Sequence, residues 1–387
     1  MLEAPPPSLP PLSLYIHLPW CIKKCPYCDF NSYTLQGTLP EEAYIKALLT
    51  DLSLEKERVQ NRKLHSIFFG GGTPSLISPS SIHSILNAVF KDFSFEAEIE
   101  ITLEANPGTF ERHPFNEYAI AGVNRLSLGI QSFQDKYLAA LGRVHQQKEC
   151  IEALNSLQNH FNSFNIDLMY GLPNQTPEDA MKDLDMALEF SPKHLSWYHL
   201  TLEPNTPFHK YPPPLPDEES LWEMLIEGHA RLSKAGFNQY EISAFAKPGF
   251  QCKHNLNYWN FGDYLGVGAG AHGKITEIKG PSLQISRYAK KRVPKDYLDP
   301  NNTFLAETKL ISEKERVFEF MLNALRLVNG FSLDLFEART GLEAHTIQPK
   351  LEQAEAMGFI DIRPTKIELT TLGKQFHNNL LEIFLPA

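Results

Sequence analysis

The chain has 387 residues, 42% apolar and 21% charged, with 36 Lys and Arg against 46 Asp and Glu, a formal net charge of −10. That length predicts two or three domains, or one large barrel with an appendage, and that composition excludes global disorder. The acidic balance argues against a protein that coats nucleic acid, and no stretch reaches the ~18 uninterrupted apolar residues of a membrane span.

Residues 1–14 hold five prolines and no Lys or Arg, which predicts that they are not a secretory signal. From 14 to 240, short apolar runs alternate with longer amphipathic ones. The spacing predicts strands over 14–17, 66–69, 98–103, 125–129, 165–169 and 195–200. Between and after them it predicts helices over 41–58, 80–90, 111–121, 147–160, 177–190 and 217–235, several opening on a cap signal such as Ser78-Pro79 or Thr176-Pro177. Strand–helix alternation of this kind builds parallel βαβ units, and six of them favour a barrel, incomplete at that, over an open doubly wound sheet. The Pro-rich run 211–216 reads as an ordered loop. The Gly- and aromatic-rich run 255–273 reads as a loop system over one end of the barrel, and the basic-then-polar run 286–310 reads as a linker. Beyond it the pattern predicts helices over 312–327, 331–339 and 344–356, then a hairpin at 360–362 and 367–369. The expected division is therefore a barrel over 1–300 and a helical, winged-helix-like domain over 301–387.

Five cysteines stand at 21, 25, 28, 150 and 252. An odd count with three packed into eight residues is a poor disulfide framework, and with no secretory signal it predicts a reducing, cytoplasmic setting. Cys21, Cys25 and Cys28, spaced C-x3-C-x2-C, follow the first strand. Three thiolates suit an iron–sulfur cluster, and three ligands leave one iron of a four-iron cluster open for chemistry. A zinc knuckle completed by His17 is the competing reading, although simple zinc sites favour paired C-x2-C spacing. Gly70-Gly71-Gly72-Thr73-Pro74 follows the second strand, where glycines let backbone groups approach a ligand. Glu104, Gln131, Asp167, Thr201 and Glu203 mark the carboxyl ends of later strands, the active end of a βα barrel. Arg143 can add positive charge to that rim. Cys150 reads as a core cysteine, His272 as a hydrogen-bonding loop residue, and the basic run 287–295 as a solvated linker rather than a nucleic-acid patch.

Taken together, the residues resemble a known family. Tyr15-Ile-His-Leu-Pro-Trp-Cys21, the cysteine triad, the glycine run, Glu104-Ala-Asn-Pro107, Ser127-Leu-Gly-Ile-Gln-Ser-Phe133, Asp167-Leu-Met-Tyr-Gly-Leu-Pro173 and His254-Asn-Leu-Asn-Tyr-Trp259 resemble the radical S-adenosylmethionine proteins of the coproporphyrinogen-oxidase-like group. The resemblance spans roughly 12–385. It implies an α/β fold, a radical-SAM partial (β/α)6 barrel of the TIM type carrying a C-terminal helical, winged-helix-like domain. It implies a [4Fe-4S] cluster on Cys21, Cys25 and Cys28, and S-adenosyl-L-methionine bound by Tyr15, Tyr27, Gly71, Gly72, Thr73, Glu104, Gln131, Arg143 and Asp167. The HemN-type enzymes of the group carry a further cysteine in C-x3-C-x2-C-x-C; here Phe30 stands in its place, and only 14 residues precede Tyr15. Both features turn the resemblance toward the HemW-like heme chaperones and put coproporphyrinogen dehydrogenase activity in doubt.

The implied function is heme binding and transfer to an unidentified acceptor protein, with heme as cargo. No nucleic acid and no membrane span is expected, while peripheral contact with a membrane-bound acceptor is compatible. Oxidative decarboxylation of coproporphyrinogen III is the alternative. Radical modification of a nucleic acid has only the wing in its favour. His254 is the expected heme ligand, because imidazole is a common axial ligand, with Tyr258 and Trp259 offering aromatic faces and Gly262, Gly266, Gly268 and Gly270 an open backbone. Cys252 is the competing ligand.

Overall fold

The computed structural model describes residues 8–109, 113–280 and 282–386. Six strands, β1 (Leu12–Leu18), β2 (Leu64–Gly71), β3 (Phe95–Ala105), β4 (Arg125–Gln131), β5 (Phe164–Tyr170) and β6 (His194–His199), pair in parallel and in chain order. Parallel neighbours need a long crossover, and helices supply it. Leu12, Leu14, Ile16 and Leu18 of β1 are all buried, as are Ser13 and His17, so the strand is covered on both faces and reads in sequence as one apolar run. The crossover helix Glu41–Leu54 buries Tyr44, Ile45, Leu48 and Leu52, the spacing of a single helical face. Helices Pro79–Asp92 and Pro177–Glu189 start where their caps predict: the Ser78 and Thr176 side chains accept hydrogen bonds from Ser81 N and Asp179 N. The predicted 111–121 helix is observed as Phe115–Ala121; residues 111 and 112 lie outside the described residues.

The sheet does not close on itself. β7 (Asn238–Glu241) and β8 (Ala244–Ala246) add antiparallel strands beyond β6. On the other side β9 (Asp263–Val267) runs parallel to β1, and β10 (His272–Lys279), β11 (Ser282–Lys290) and β12 (Leu305–Leu310) follow antiparallel, giving this sheet twelve strands among the described residues. The fold is a partial barrel, as the alternation predicts, but two segments differ from expectation. The 255–273 run is not a loop system: it forms the helix Lys253–Trp259 and all of β9. The 286–310 run is not a linker: it holds most of β11, the helix Pro294–Leu298 and β12. Nor is its basic stretch a free surface, since Lys290 is buried against Asp51 and Glu55 and Arg287 pairs with Glu319.

The C-terminal part carries helices Glu313–Ala324, Leu333–Thr340 and Gln348–Ala356, then the antiparallel wing Ile360–Arg363 with Lys366–Leu369. Its core centres on Phe320, packed edge-on against Phe331 at 5.1 Å and Phe336 at 5.2 Å. Phe261 and Ile285 of the sheet side belong to the same cluster, so this part is seated on the barrel through a shared core. Among the described residues, no helix is long and apolar enough to cross a membrane.

Candidate functional site

The carboxyl ends of β1 to β6 surround a cavity of about 510 Å³, and the three cysteines form part of its wall. They lie on the loop that leaves β1. Residues Trp20–Cys21 and Tyr33–Thr34 pair in parallel and pinch the loop at its base, while Lys24 Nζ donates to the Phe30 and Ser32 carbonyls within it. The far end of the loop is tied to the sheet extension: Asn31 Nδ2 donates to the carbonyls of Ala269 and Arg292, each at 3.0 Å, and Arg292 Nε donates back to Asn31 Oδ1. Gly270 makes room for this clamp, because a Cβ there would stand 2.0 Å from Asn31 Nδ2. The glycines of 262–270 therefore include one whose close approach is to the cysteine loop itself, not to a flat ligand.

All three thiols are free and half-buried, with Arg143 Nη1 3.6 Å from Cys25 Sγ. Burial pushes the Cys21 and Cys28 thiols up, with Thr73 and Ser32 acting against it at Cys21 and the Phe30 amide and Ser32 at Cys28. Among the described residues no three His, Cys, Asp or Glu side chains meet at one ion-sized point. In an iron–sulfur cube each thiolate takes a separate iron, so three neighbouring donors on one wall suit that chemistry. His17 is not free to complete a zinc knuckle. It is 4% exposed, its Nε2 is bonded to the Asn31 carbonyl and its Nδ1 to Tyr15 OH.

The glycine run zips β2 to the base of the loop. Gly71 N–H donates to Glu104 Oε2, Gly72 N–H to the Leu18 carbonyl and Thr73 N–H to the Trp20 carbonyl. Gly72 has to be a glycine, since a Cβ would lie 2.5 Å from Trp20 O. With these N–H groups engaged, the run has carbonyl oxygens to offer a ligand, which suits an ammonium group.

Cys21, Cys25, Cys28, Tyr27, Gly72, Thr73, Glu104, Gln131, Arg143, Asp167, Thr201 and Glu203 all line the cavity. Tyr15 and Gly71 lie one layer behind it: the Tyr15 ring stacks on Phe68, and Gly71 supports Glu104. Gln131 adopts φ 72° and accepts from Tyr198 OH at 2.8 Å. Arg143 donates to the Gly129 carbonyl at 2.7 Å, and among the described residues its buried Nε has no partner. Asp167 is held by Ser127 and Asn165. The Asn165 Oδ1 in turn accepts from His194 Nδ1, which leaves His194 Nε2 to accept from Tyr240 OH. Sequence reading missed this inner layer of Ser127, Asn165 and His194. Its signal was polar residues inside otherwise apolar strands.

Two carboxyls thus share a buried site. Burial raises both, and the charge of Asp167 adds to burial at Glu104, which is pushed up to about 8 against the Gly71 hydrogen bond. With a folded value above the unfolded 4.5, the stability contribution is complete below pH 4.5 and lost as pH rises through about 8. Glu104→Gln, a neutral isostere, should match wild-type stability near pH 4 and exceed it above pH 8 in urea unfolding of the ligand-free protein. A stability difference that stays constant over that range would contradict a protonated Glu104.

His254, the expected heme ligand, is enclosed. It is 1% exposed, its Nδ1 is bonded to Ser66 Oγ and its Nε2 to Tyr258 OH, both at 2.9 Å, and its ring stacks on Phe68. Burial pushes its pKa down to about 3, so the ring is neutral at physiological pH. Cys252 is equally enclosed at 1% exposure beside Glu100, and burial pushes its thiol up to about 12. Cys150 is a core residue as expected.

The Radical SAM superfamily profile matches residues 15–187, which run from β1 to the helix before β6, and the HemN C-terminal domain profile matches residues 311–376. Proteins named Heme chaperone HemW are similar over almost their whole length. The one from Haemophilus influenzae is 50% identical over 384 residues, covering 98% of this chain and 99% of that one. The Escherichia coli protein is 47% identical over 379 residues, with the same coverage of both chains. Among solved structures, coproporphyrinogen III oxidase (HemN) from Escherichia coli superposes with a TM-score of 0.81 over 97% of this chain and 90% of that one, at 23% identity, a likeness of fold. With its cysteine loop, its partial barrel and its winged C-terminal domain, the chain belongs to the HemW family of the radical SAM superfamily.

Proposed function

We propose that this protein binds heme and passes it to an acceptor protein, and that its cavity holds a [4Fe-4S] cluster and S-adenosyl-L-methionine. The observation that carries the reading is the 50% identity, end to end, with a protein named Heme chaperone HemW. Cys21, Cys25 and Cys28 are the donors for three irons. Bound there, the cluster supplies electrons toward S-adenosylmethionine. The ligand-free donor set suits both groups. Arg143 at the cavity wall suits an amino-acid carboxylate, and Glu104 and Asp167 are acceptors for ribose hydroxyls or an ammonium. The unit over 1–300 would carry the cofactors and the winged unit over 301–387 would cover them. The acceptor is a protein of unassigned identity, and a peripheral encounter with a membrane-bound one is compatible with this surface. A cytoplasmic setting fits the free, unpaired cysteines.

Phe30 supports transfer over decarboxylation. It stands where HemN-type enzymes carry a fourth cysteine, and its ring is 57% exposed at the cavity wall. Phe30→Cys alone is expected to create no decarboxylation, because a substrate site needs a complete and supported set of contacts. The experiment is anaerobic reconstitution, then hemin titration and carbon dioxide release from coproporphyrinogen on one sample. Hemin binding without carbon dioxide from either wild type or Phe30→Cys is the expected result. Sustained release by either protein would replace the chaperone reading with the dehydrogenase one.

A further inference from the structure

The cavity is not walled by the barrel alone. From the C-terminal part, among the described residues, a single side chain reaches it: Arg326, which follows the helix Glu313–Ala324. Backbone contacts fix that position. Val328 N–H donates to the Tyr240 carbonyl, and Leu327 bridges Glu241 at the end of β7. The guanidinium lies 4.3 Å over the ring of Trp259 and gives one hydrogen bond, Nη2 to Glu241 Oε2 at 3.2 Å. A guanidinium has five N–H donors. Here Nε is buried without a partner among the described residues, while the side chain as a whole is 30% exposed and lines the cavity. The cation is therefore held on an aromatic platform beside a single carboxylate, with its side chain part-exposed at the wall of the cavity. Bidentate pairing with a carboxylate is what such a fork is shaped to do.

We propose that Arg326 is the anchor for a carboxylate of the bound ligand, a propionate of the tetrapyrrole cargo, presented from the C-terminal domain. The assignment rests on the chaperone reading above. S-adenosylmethionine also carries a carboxylate, but Arg143, beside Cys25, already supplies an unpartnered donor next to the cysteines. Arg326 sits instead with Glu241, Ser243 and Asn255, residues that come after the six-strand barrel run. Because the same arginine holds Glu241, cargo and Glu241 compete for it, and cargo binding is coupled to how the C-terminal domain is latched.

The test uses the full-length reconstituted protein and two probes, hemin and hemin dimethyl ester, which lacks free carboxylates. Wild type is expected to bind hemin on the order of tenfold more tightly than the ester. Arg326→Gln should lose that difference by weakening hemin alone, and Arg326→Lys should keep part of it. Glu241→Gln releases the guanidinium from its competitor, so it should tighten hemin and leave the ester unchanged. That second variant keeps the test alive if Arg326→Gln folds poorly. S-adenosylmethionine binding by equilibrium dialysis should be unchanged in Arg326→Gln. Equal affinity of wild type for both probes overturns the assignment while the chaperone reading stands, and so does a loss in Arg326→Gln confined to S-adenosylmethionine. A wild type that binds no hemin removes the chaperone reading and this proposal with it.

Discussion

Cys25→Ser is expected to fold but to reconstitute without an iron–sulfur cluster, whereas Cys150→Ser should take up about four irons per chain like the wild type. The two thiols differ in every respect that matters. Cys25 is half-buried on the cavity wall, and Arg143 Nη1 stands 3.6 Å from its sulfur. Cys150 is 0% exposed in the helix Gln147–His160, among Leu154, Ala153 and Leu157, and burial pushes its thiol far up. It behaves as a small apolar residue. Loss of one of three donors leaves an iron without its protein ligand, and a serine hydroxyl is a poor replacement for a soft thiolate. The readout is iron and sulfide analysis with the visible charge-transfer band of anaerobically prepared protein. Full iron content in Cys25→Ser, or stoichiometric zinc and no such band in the wild type, would rule out the assignment of the triad.

The triad and its surroundings were legible because their chemistry sits on the loops that follow predicted strands. Seeing that Cys21 follows one strand, Gly72 a second and Glu104 a third is enough to bring them to one end of a barrel. Ser127, Asn165 and His194 were not legible. They are polar residues inside strands, and only the pairing of β4 with β5 and β5 with β6 makes them one hydrogen-bonded layer. Arg326 was hidden for another reason. It lies more than fifty residues beyond Asn255, the preceding cavity residue in the chain, and no periodicity marks a side chain that crosses from one unit to another. His254 is a separate case. A histidine beside a tyrosine and a tryptophan looks like a ligand set in sequence, but Ser66 and Tyr258 occupy both of its nitrogens.

The fold was readable as far as β6 and obscured after Glu241. Apolar runs bounded by helices announce parallel strands, yet 262–273 is so rich in glycine that strand propensity alone rejects it. The glycines are there because backbone passes close to backbone: at Gly266 a Cβ would lie 1.9 Å from His272 O. In β10 and β11 the buried residues include Lys274 and Lys290, which a binary pattern assigns to the surface. They are inside because each has a carboxylate waiting, Asp263 for one and Asp51 with Glu55 for the other.

Asp263→Ala is expected to cost about 3–5 kcal/mol of stability, the penalty for leaving buried charge without its partner. Asp263 is 0% exposed and uses both oxygens fully. Oδ1 accepts from Lys274 Nζ and Thr276 Oγ1, each at 2.8 Å, and Oδ2 accepts from Arg62 Nη1 and Thr276 N, each at 2.7 Å. Burial pushes this carboxyl up, but Lys274 and Arg62 outweigh it and hold the group below its usual range. Its folded value is depressed, so its contribution is present above the ordinary carboxylate pKa and disappears as pH falls through the lower folded one. Alanine removes the acceptor and strands Lys274, which is 1% exposed and left with carbonyls of Phe261 and Gly262. Against a total stability of ~5–15 kcal/mol that loss is large. The double variant Asp263→Ala, Lys274→Met should recover part of it, because it removes the stranded charge as well. The effect should also reach the cofactor site. Asp263 opens β9, β9 pairs with β1, and the turn after β9 presents Ala269 to Asn31 of the cysteine loop. Urea unfolding of the three proteins tests the energetics, and the rate of cluster loss in air tests the connection. A single variant within about 1 kcal/mol of wild type would mean that water reaches Lys274 once Asp263 is gone, and that burial there is not enforced.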